Sequence, residues 1–117
     1  MKPTKQMIEN EPKGPRIDAW FAELVMKWKK CLYSVHDWEW VDSDGNKKYS
    51  FSDFEPSTNI AHAMEGVEQF EIFLLYWIKK ENLWICVIYD PWIETTAKTK
   101  ELAITRARLL WAIEKEE

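Results

Sequence analysis

The chain has 117 residues, 46% of them hydrophobic and 31% charged, with a net charge of −4 and 8 Trp. That length holds one domain with a real core and is too short for two ordinary ones. The acidic balance excludes a nonspecific nucleic-acid binder, which needs a cationic surface to displace counterions from phosphate, and the longest apolar runs, 70–78 and 83–89, are less than half of the roughly 20 residues that cross a membrane.

Residues 1–16 hold three of the five prolines and one of the three glycines among charges of both signs. They show no sustained apolar period and are expected to be a mobile arm in front of one domain spanning 17–117. The start of the chain lacks the apolar central region of a secretory signal, which points to the cytoplasm. Cys31 and Cys86 are then reduced thiols, and Cys86, inside an apolar run, is a small buried hydrophobe.

From Ile17 the pattern changes. Trp20, Phe21, Leu24, Val25 and Trp28 recur at three- and four-residue steps, which predicts an amphipathic helix with Asp18 as its cap. Lys27, Lys29 and Lys30 then form its basic end, where cations suit the helix dipole.

Next, Trp38 and Trp40 alternate with Asp37, Glu39 and Val41, and Tyr49 and Phe51 alternate with Lys48, Ser50 and Ser52, so two half-buried strands flank a turn. The segment between also has the acidic spacing of a calcium loop, with oxygen ligands at Asp42, Asp44, Asn46, Ser50 and Asp53. That loop needs glycine at its sixth position and a bidentate glutamate at its last, where Lys47 and Asp53 stand. Gly45 instead follows Asp44 directly, which predicts a type I′ hairpin turn and no metal site.

After Pro56, Ile60, Ala63, Met64 and Val67 share one helical face, capped by Ser57 or Thr58, with His62, Glu65 and Glu68 tending toward the other. Two period-two segments follow, 71–80 and 83–91, joined by a turn at 79–82. In the second, Trp84, Cys86 and Ile88 point to one face and Ile85, Val87 and Tyr89 to the other; apolar residues on both faces require cover on both. Asp90-Pro91 ends that strand. Residues 92–98 read as a loop with Trp92 as an exposed aromatic, and Thr99 caps a last helix whose stripe is Leu102, Ala103, Ala107, Leu110 and Ile113, with Arg106 and Arg108 outside it.

The order α-β-β-α-β-β-α predicts an α+β fold. Two hairpins form one four-stranded, mostly antiparallel sheet between helices, a three-layer α-β-α sandwich.

Three stretches resemble the phage ABA sandwich domain family: Glu23–Trp28, Glu55–Phe70 with its Pro56-Ser57-Thr58-Asn59-Ile60-Ala61-His62-Ala63 core, and Ile88–Pro91 followed by Lys100–Ile113. The family commonly carries Trp where Met64 stands. The resemblance implies the fold and a bacteriophage or prophage origin, hence the cytoplasm of an infected or lysogenic bacterium. It carries no shared catalytic residues and no general activity.

The glycines, Gly14, Gly45 and Gly66, are too scattered for a phosphate-cradling loop, and no Gly-x-Ser-x-Gly elbow is present. His36 and His62 have no zinc spacing to Cys31 or Cys86, so neither a metal nor another cofactor is expected, and His62 with Glu65 reads as a solvated pair. The surplus of Trp is the better clue, because Trp is enriched at interfaces and stacks on flat ligands. Trp38, Trp40 and Trp92, with Asp37 and Glu39, are the candidate interaction residues. The leading reading is a noncatalytic accessory protein that binds a host protein, such as a defence or regulatory factor. The alternatives are a sponge for a small molecule or nucleotide signal, and a small enzyme using a carboxylate with His36 or His62. A second copy of the chain is a further candidate partner. Cations converging with aromatics across a symmetric interface would favour the sponge; a flat acidic or aromatic patch would favour the protein binder.

Overall fold

The computed structural model describes residues 2–32, 34, 37–70, 73–89 and 91–115. Helix α1 (Lys5–Asn10) is followed by α2 (Pro15–Trp20), which continues into a π-helical turn at Phe21–Val25; strands β1 (Lys29–Leu32), β2 (Trp38–Val41) and β3 (Lys47–Ser50) come next. Then come α3 (Ile60–Glu65), β4 (Phe73–Ile78), β5 (Leu83–Ile88), β6 (Ile93–Ala97) and α4 (Lys100–Lys115). The strands form two three-stranded antiparallel sheets, β1-β2-β3 and β4-β5-β6, in place of the single four-stranded sheet expected. An α+β fold stands; the expected element order gains a strand in each half.

Both extra strands come from segments with weak signals. Lys27 adopts φ 61, a left-handed conformation that ends the helix. The basic run after it therefore turns into β1, where Lys29 pairs with Val41 and Lys30 with Trp40. The segment after Pro91 becomes β6 because β5 has an edge to fill, and Cys86 pairs with Thr95 and Val87 with Glu94. Asp90 lies outside the described residues.

The N-terminal residues differ from the expected arm. Thr4 caps α1 by accepting from the Met7 amide at 3.2 Å, Ile8 is completely buried in the main core, and α1 packs on α4. Farther along, the Arg106 Nη2 donates to the Glu11 carbonyl at 2.9 Å, and the Gly14 amide donates to Ser57 Oγ at 3.0 Å. A single buried isoleucine contributes about 1.5–3 kcal/mol. Removing residues 1–13 is therefore expected to cost about 2 kcal/mol or more, seen as a lower urea midpoint; an unchanged midpoint would return the segment to the status of an arm.

The hairpin forms as expected, but with a different turn. Gly45 has φ 85, while neither Ser43 nor Asp44 has positive φ, and a type I′ turn needs two such residues. The Gly45 amide donates to the Asp42 carbonyl at 3.1 Å and the Asp42 amide to the Asn46 carbonyl at 3.0 Å, the pattern of a type I turn closed by a left-handed glycine. One Asp42 carboxylate oxygen accepts from the amides of Asp44 and Asn46, each at 2.9 Å. Those bonds, the Asn46 amide first, hold the Asp42 carboxyl below its usual range. This carboxylate is thus committed to the turn. Gly45→Val is expected to destabilise by on the order of 1 kcal/mol or more, because a β-branched residue resists this φ; equal thermal midpoints would show that the turn tolerates it.

The core lies between α4, the α2–π segment and one face of each sheet. Ile17, Phe21 and Ala22 meet Ala103, Ile104, Ala107 and Leu110 there, with Trp40 from β2 and Cys86 and Ile88 from β5. Thr99 caps α4, accepting from the Leu102 amide at 3.3 Å. Asn59, rather than Ser57 or Thr58, caps α3, accepting from the Ala61 and His62 amides. Arg108 is buried, against expectation: its Nε donates to the Gly66 carbonyl at 2.6 Å, and its guanidinium lies 5.2 Å from the Phe70 ring and 4.8 Å from the Trp111 ring. Burial lowers its pKa to about 10, so it remains charged at neutral pH and is stabilised by the two ring faces. Helix α4 packs on the second sheet. On that sheet's other face Ile85 and Val87 are buried, bordered by exposed Leu74, Tyr76, Tyr89 and Trp92.

Candidate functional site

The side chains singled out on β2 meet two adjoining concavities. Alternation puts Trp38 and Trp40 on one face of the strand, yet Trp40 is 1% exposed and Trp38 43%. Trp40 sits deeper because Phe51 packs beside it, with ring centroids 5.2 Å apart. A cleft of about 330 Å³ opens over Trp40, Phe51 and Phe54, with Asp18, Glu55, Gly14, Pro15, Ala19, Ser52 and Thr58 completing its lining. A second groove of about 300 Å³ is lined by Asp37, Trp38, Glu39, Lys47, Ser50, Phe51 and Ser52. Phe51 and Ser52 are the shared wall.

That wall already holds a cation. Lys30 Nζ lies 4.0 Å from the Phe51 ring centroid and 4.9 Å from that of Trp38, a geometry in which the negative ring faces attract an ammonium. The Glu39 carboxylate is 3.7 Å from Lys47, and Asp37 accepts from the Ser34 hydroxyl at 2.6 Å. Trp92, by contrast, belongs to the second sheet's side: it is 56% exposed, makes an edge contact with Tyr89 at 5.3 Å and does not line either concavity. Four of the five candidate residues therefore come together, and one does not.

Sequence reasoning missed Asp18 and Phe54. Asp18 was expected to cap its own helix, but Gly14 holds the N-cap position. The Asp18 carboxylate instead accepts from the Ser57 amide at 2.7 Å. Ser57, wholly buried, thus links α2, the Gly14 turn and the segment before α3, which gives the Pro56-Ser57-Thr58-Asn59 stretch a structural purpose. Phe54 joins the elements from the other side, with ring centroids 4.8 Å from Trp28, 5.0 Å from Tyr49, 5.2 Å from His62 and 5.9 Å from Phe21. The signal for Phe54 was its place just past the Tyr49 and Phe51 alternation.

The expected His62–Glu65 pair is not formed. His62 Nδ1 accepts from the Glu55 amide at 3.0 Å. Glu65 instead accepts from the Tyr49 hydroxyl at 2.9 Å, and burial first, then this bond, raises the Tyr49 pKa. His36 lies outside the described residues. Among the described residues no group of three or more His, Cys, Asp or Glu could hold a metal ion, and no helix is long and apolar enough to cross a membrane.

Burial raises the Asp18 pKa above its ordinary 3.8, opposed by the hydrogen bonds from Ser57. The folded chain therefore binds this proton more tightly than the unfolded chain. Its contribution is most favourable below 3.8 and is lost as pH rises through the folded pKa. Asp18→Asn keeps an oxygen for the Ser57 amide and removes the titration. The variant is expected to gain stability relative to the parent as pH rises above the ordinary carboxylate value, measured as the difference in urea midpoints. A difference independent of pH would mean that Asp18 is solvated in the folded chain.

No curated protein and no solved structure matches the chain. A family model does match, over residues 19–109, which takes in the end of α2 and the π-helical turn, both sheets, α3 and most of α4. With that match spanning most of the chain, including both sheets and the greater part of the core, the chain belongs to the Phage ABA sandwich domain family, proteins associated with bacteriophages.

Proposed function

We propose that this phage-associated chain is a noncatalytic binding protein whose hairpin surface takes a basic side chain from a protein partner, a host defence or regulatory factor being the leading class. The observation that carries this reading is the acidic and aromatic lining of the two concavities, Asp18 and Glu55 beside Trp40, Phe51 and Phe54 in one and Asp37 and Glu39 beside Trp38 and Phe51 in the other; Lys30 lies over the Phe51 and Trp38 rings, the place that an incoming cation would take from it. Aromatic faces and carboxylates together attract an arginine or lysine more strongly than either alone, because the ring quadrupole and the anion act on the same charge.

The sponge reading needs cations converging on aromatics, since a nucleotide signal carries phosphate. Lys30 is one cation over aromatics, but the lining of the Trp40 cleft has Asp18 and Glu55 and, among the described residues, no Lys or Arg, and the groove's Lys47 is paired with Glu39. The small-enzyme reading needs a carboxylate with His36 or His62; one nitrogen of His62 is engaged by the Glu55 amide, and His36 lies outside the described residues. The protein-binding reading is thus the best supported.

The test is capture from host lysate with tagged parent and with Trp38→Ala and Glu39→Lys, beside mass spectrometry of small molecules released from the purified parent. A captured protein that then binds the purified parent and is weakened about tenfold by either substitution supports the reading. Binding indifferent to both substitutions, or a stoichiometric small molecule in the cleft, overturns it.

A further inference from the structure

Two three-stranded sheets present four edges, and three of them carry charge. Edge strand β1 includes Lys29 and Lys30 and β3 includes Lys47 and Lys48. The β6 edge carries Glu94, and its Thr96 carbonyl accepts from Arg106 Nη1 at 3.0 Å. Charges of this kind are how sheet proteins keep an edge from pairing with another chain.

The β4 edge has no such device. Its six residues, Phe73-Leu74-Leu75-Tyr76-Trp77-Ile78, include no charge, proline or glycine, and its pairing with β5 runs from Phe73↔Ile88 to Ile78↔Leu83 without a bulge. Among the described residues its outer backbone groups have no partner strand. Leu74 is 49% exposed, Tyr76 45% and Trp77 40%, and because successive side chains alternate, this exposure lies on both faces of the strand. An apolar strand open along its edge and on both faces is matched by another strand beside it.

We infer that β4 pairs antiparallel with β4 of a second copy, joining two three-stranded sheets into one of six strands. The strand is complementary to itself. Side chains directly opposite in an antiparallel pair share a face, so the two-fold axis passes through Leu75 or through Tyr76. The first places Leu74 opposite Tyr76 of the second copy and Phe73 opposite Trp77; the second places Tyr76 opposite Tyr76 and Leu75 opposite Trp77. Aromatic and aliphatic pairs of this kind stabilise sheets. The antiparallel sense also holds Lys79 and Lys80, which follow the strand, at opposite ends of the pair, where a parallel one would bring them together. This surface is on the other sheet from the hairpin cleft, so the two readings stand or fall separately.

Sedimentation of the full chain under reducing conditions, from roughly 1 μM to 1 mM, should find a dimer. Leu74→Lys and Tyr76→Lys, both at exposed positions, should each raise the dissociation constant by about a hundredfold or more with the circular dichroism unchanged, since symmetry enters each substitution twice and sets two ammonium groups on the paired apolar face in place of aliphatic and aromatic contacts. Trp92→Lys, on the β6 side, should leave it unaltered. Amide exchange in the parent should show Leu74–Trp77 becoming more protected with concentration, which reads the edge without any variant. A parent that is monomeric throughout, a dimer indifferent to both β4 lysines, one broken equally by Trp92→Lys, or β4 amides whose protection ignores concentration would each overturn the pairing.

Discussion

Cys86→Asp is expected to abolish folding or to remove several kcal/mol of stability, a large part of the 5–15 kcal/mol that domains of this size possess. Cys86 is completely buried on the central strand β5, in the core that includes Ala103, Ala107 and Ile88, with Leu75 and Thr95 opposite it on the flanking strands. Burial pushes its thiol pKa up to about 12, which shows how poorly this place tolerates charge. Thr95, the polar side chain opposite, already donates to the Ala103 carbonyl at 2.8 Å. Its neighbour Ile85 tests the other face. Ile85 is also buried, but Tyr76 beside it is largely exposed, so water reaches the rim and Ile85→Asp should cost less than Cys86→Asp. Urea unfolding of both decides the matter. Equal losses would mean that the outer face is as dry as the core; a Cys86→Asp variant within about 0.5 kcal/mol of the parent would mean that β5 is not a buried central strand.

Gly66→Ala is the second large effect, expected to cost about 1–3 kcal/mol through overpacking. Gly66 caps α3 with an ordinary φ of −85, so the backbone is not the reason. A Cβ there would stand only 3.0 Å from Phe21 Cε1 and from Val25 Cγ1, with Phe21 Cζ closer still. Phe21 is completely buried and packs against Phe54, so the ring has little room to retreat. The Gly66 carbonyl also receives the buried Arg108, and a shift of this residue would loosen that bond as well. Phe21→Leu shortens the offending side chain, so the double variant should lose less than the sum of the two singles; strict additivity in urea unfolding would mean that the methyl finds space elsewhere.

Elements whose own residues carry a strong period were legible along the chain. The Trp38–Val41 and Lys47–Ser50 strands, the β4–β5 hairpin and α4 are all where the spacing put them, because a period of two or 3.6 requires no knowledge of the partner. Trp38, Trp40, Asp37 and Glu39 could be proposed as a group for the same reason: they are consecutive in the chain, three of them on β2 and Asp37 just before it. Asp18 could not join them, because what brings it to the cleft is a bond to an amide 39 residues away. Phe54 was silent likewise until Trp28, Tyr49 and His62 closed around it.

The rest was decided by contacts between segments. Lys29–Leu32 and Ile93–Ala97 are strands because β2 and β5 each had an unpaired edge, and backbone pairing outweighs weak local preference. Residues 5–10 are ordered because Ile8 finds a place in a core made by other elements, burial that no six-residue helix provides for itself. Arg108, charged and therefore assigned to the surface, is inside because Phe70, Trp111 and the Gly66 carbonyl together replace part of its water. Local periodicity thus determined most strands and the last helix, while the division into two sheets, the packed N-terminus and the cleft depended on which distant groups could satisfy one another.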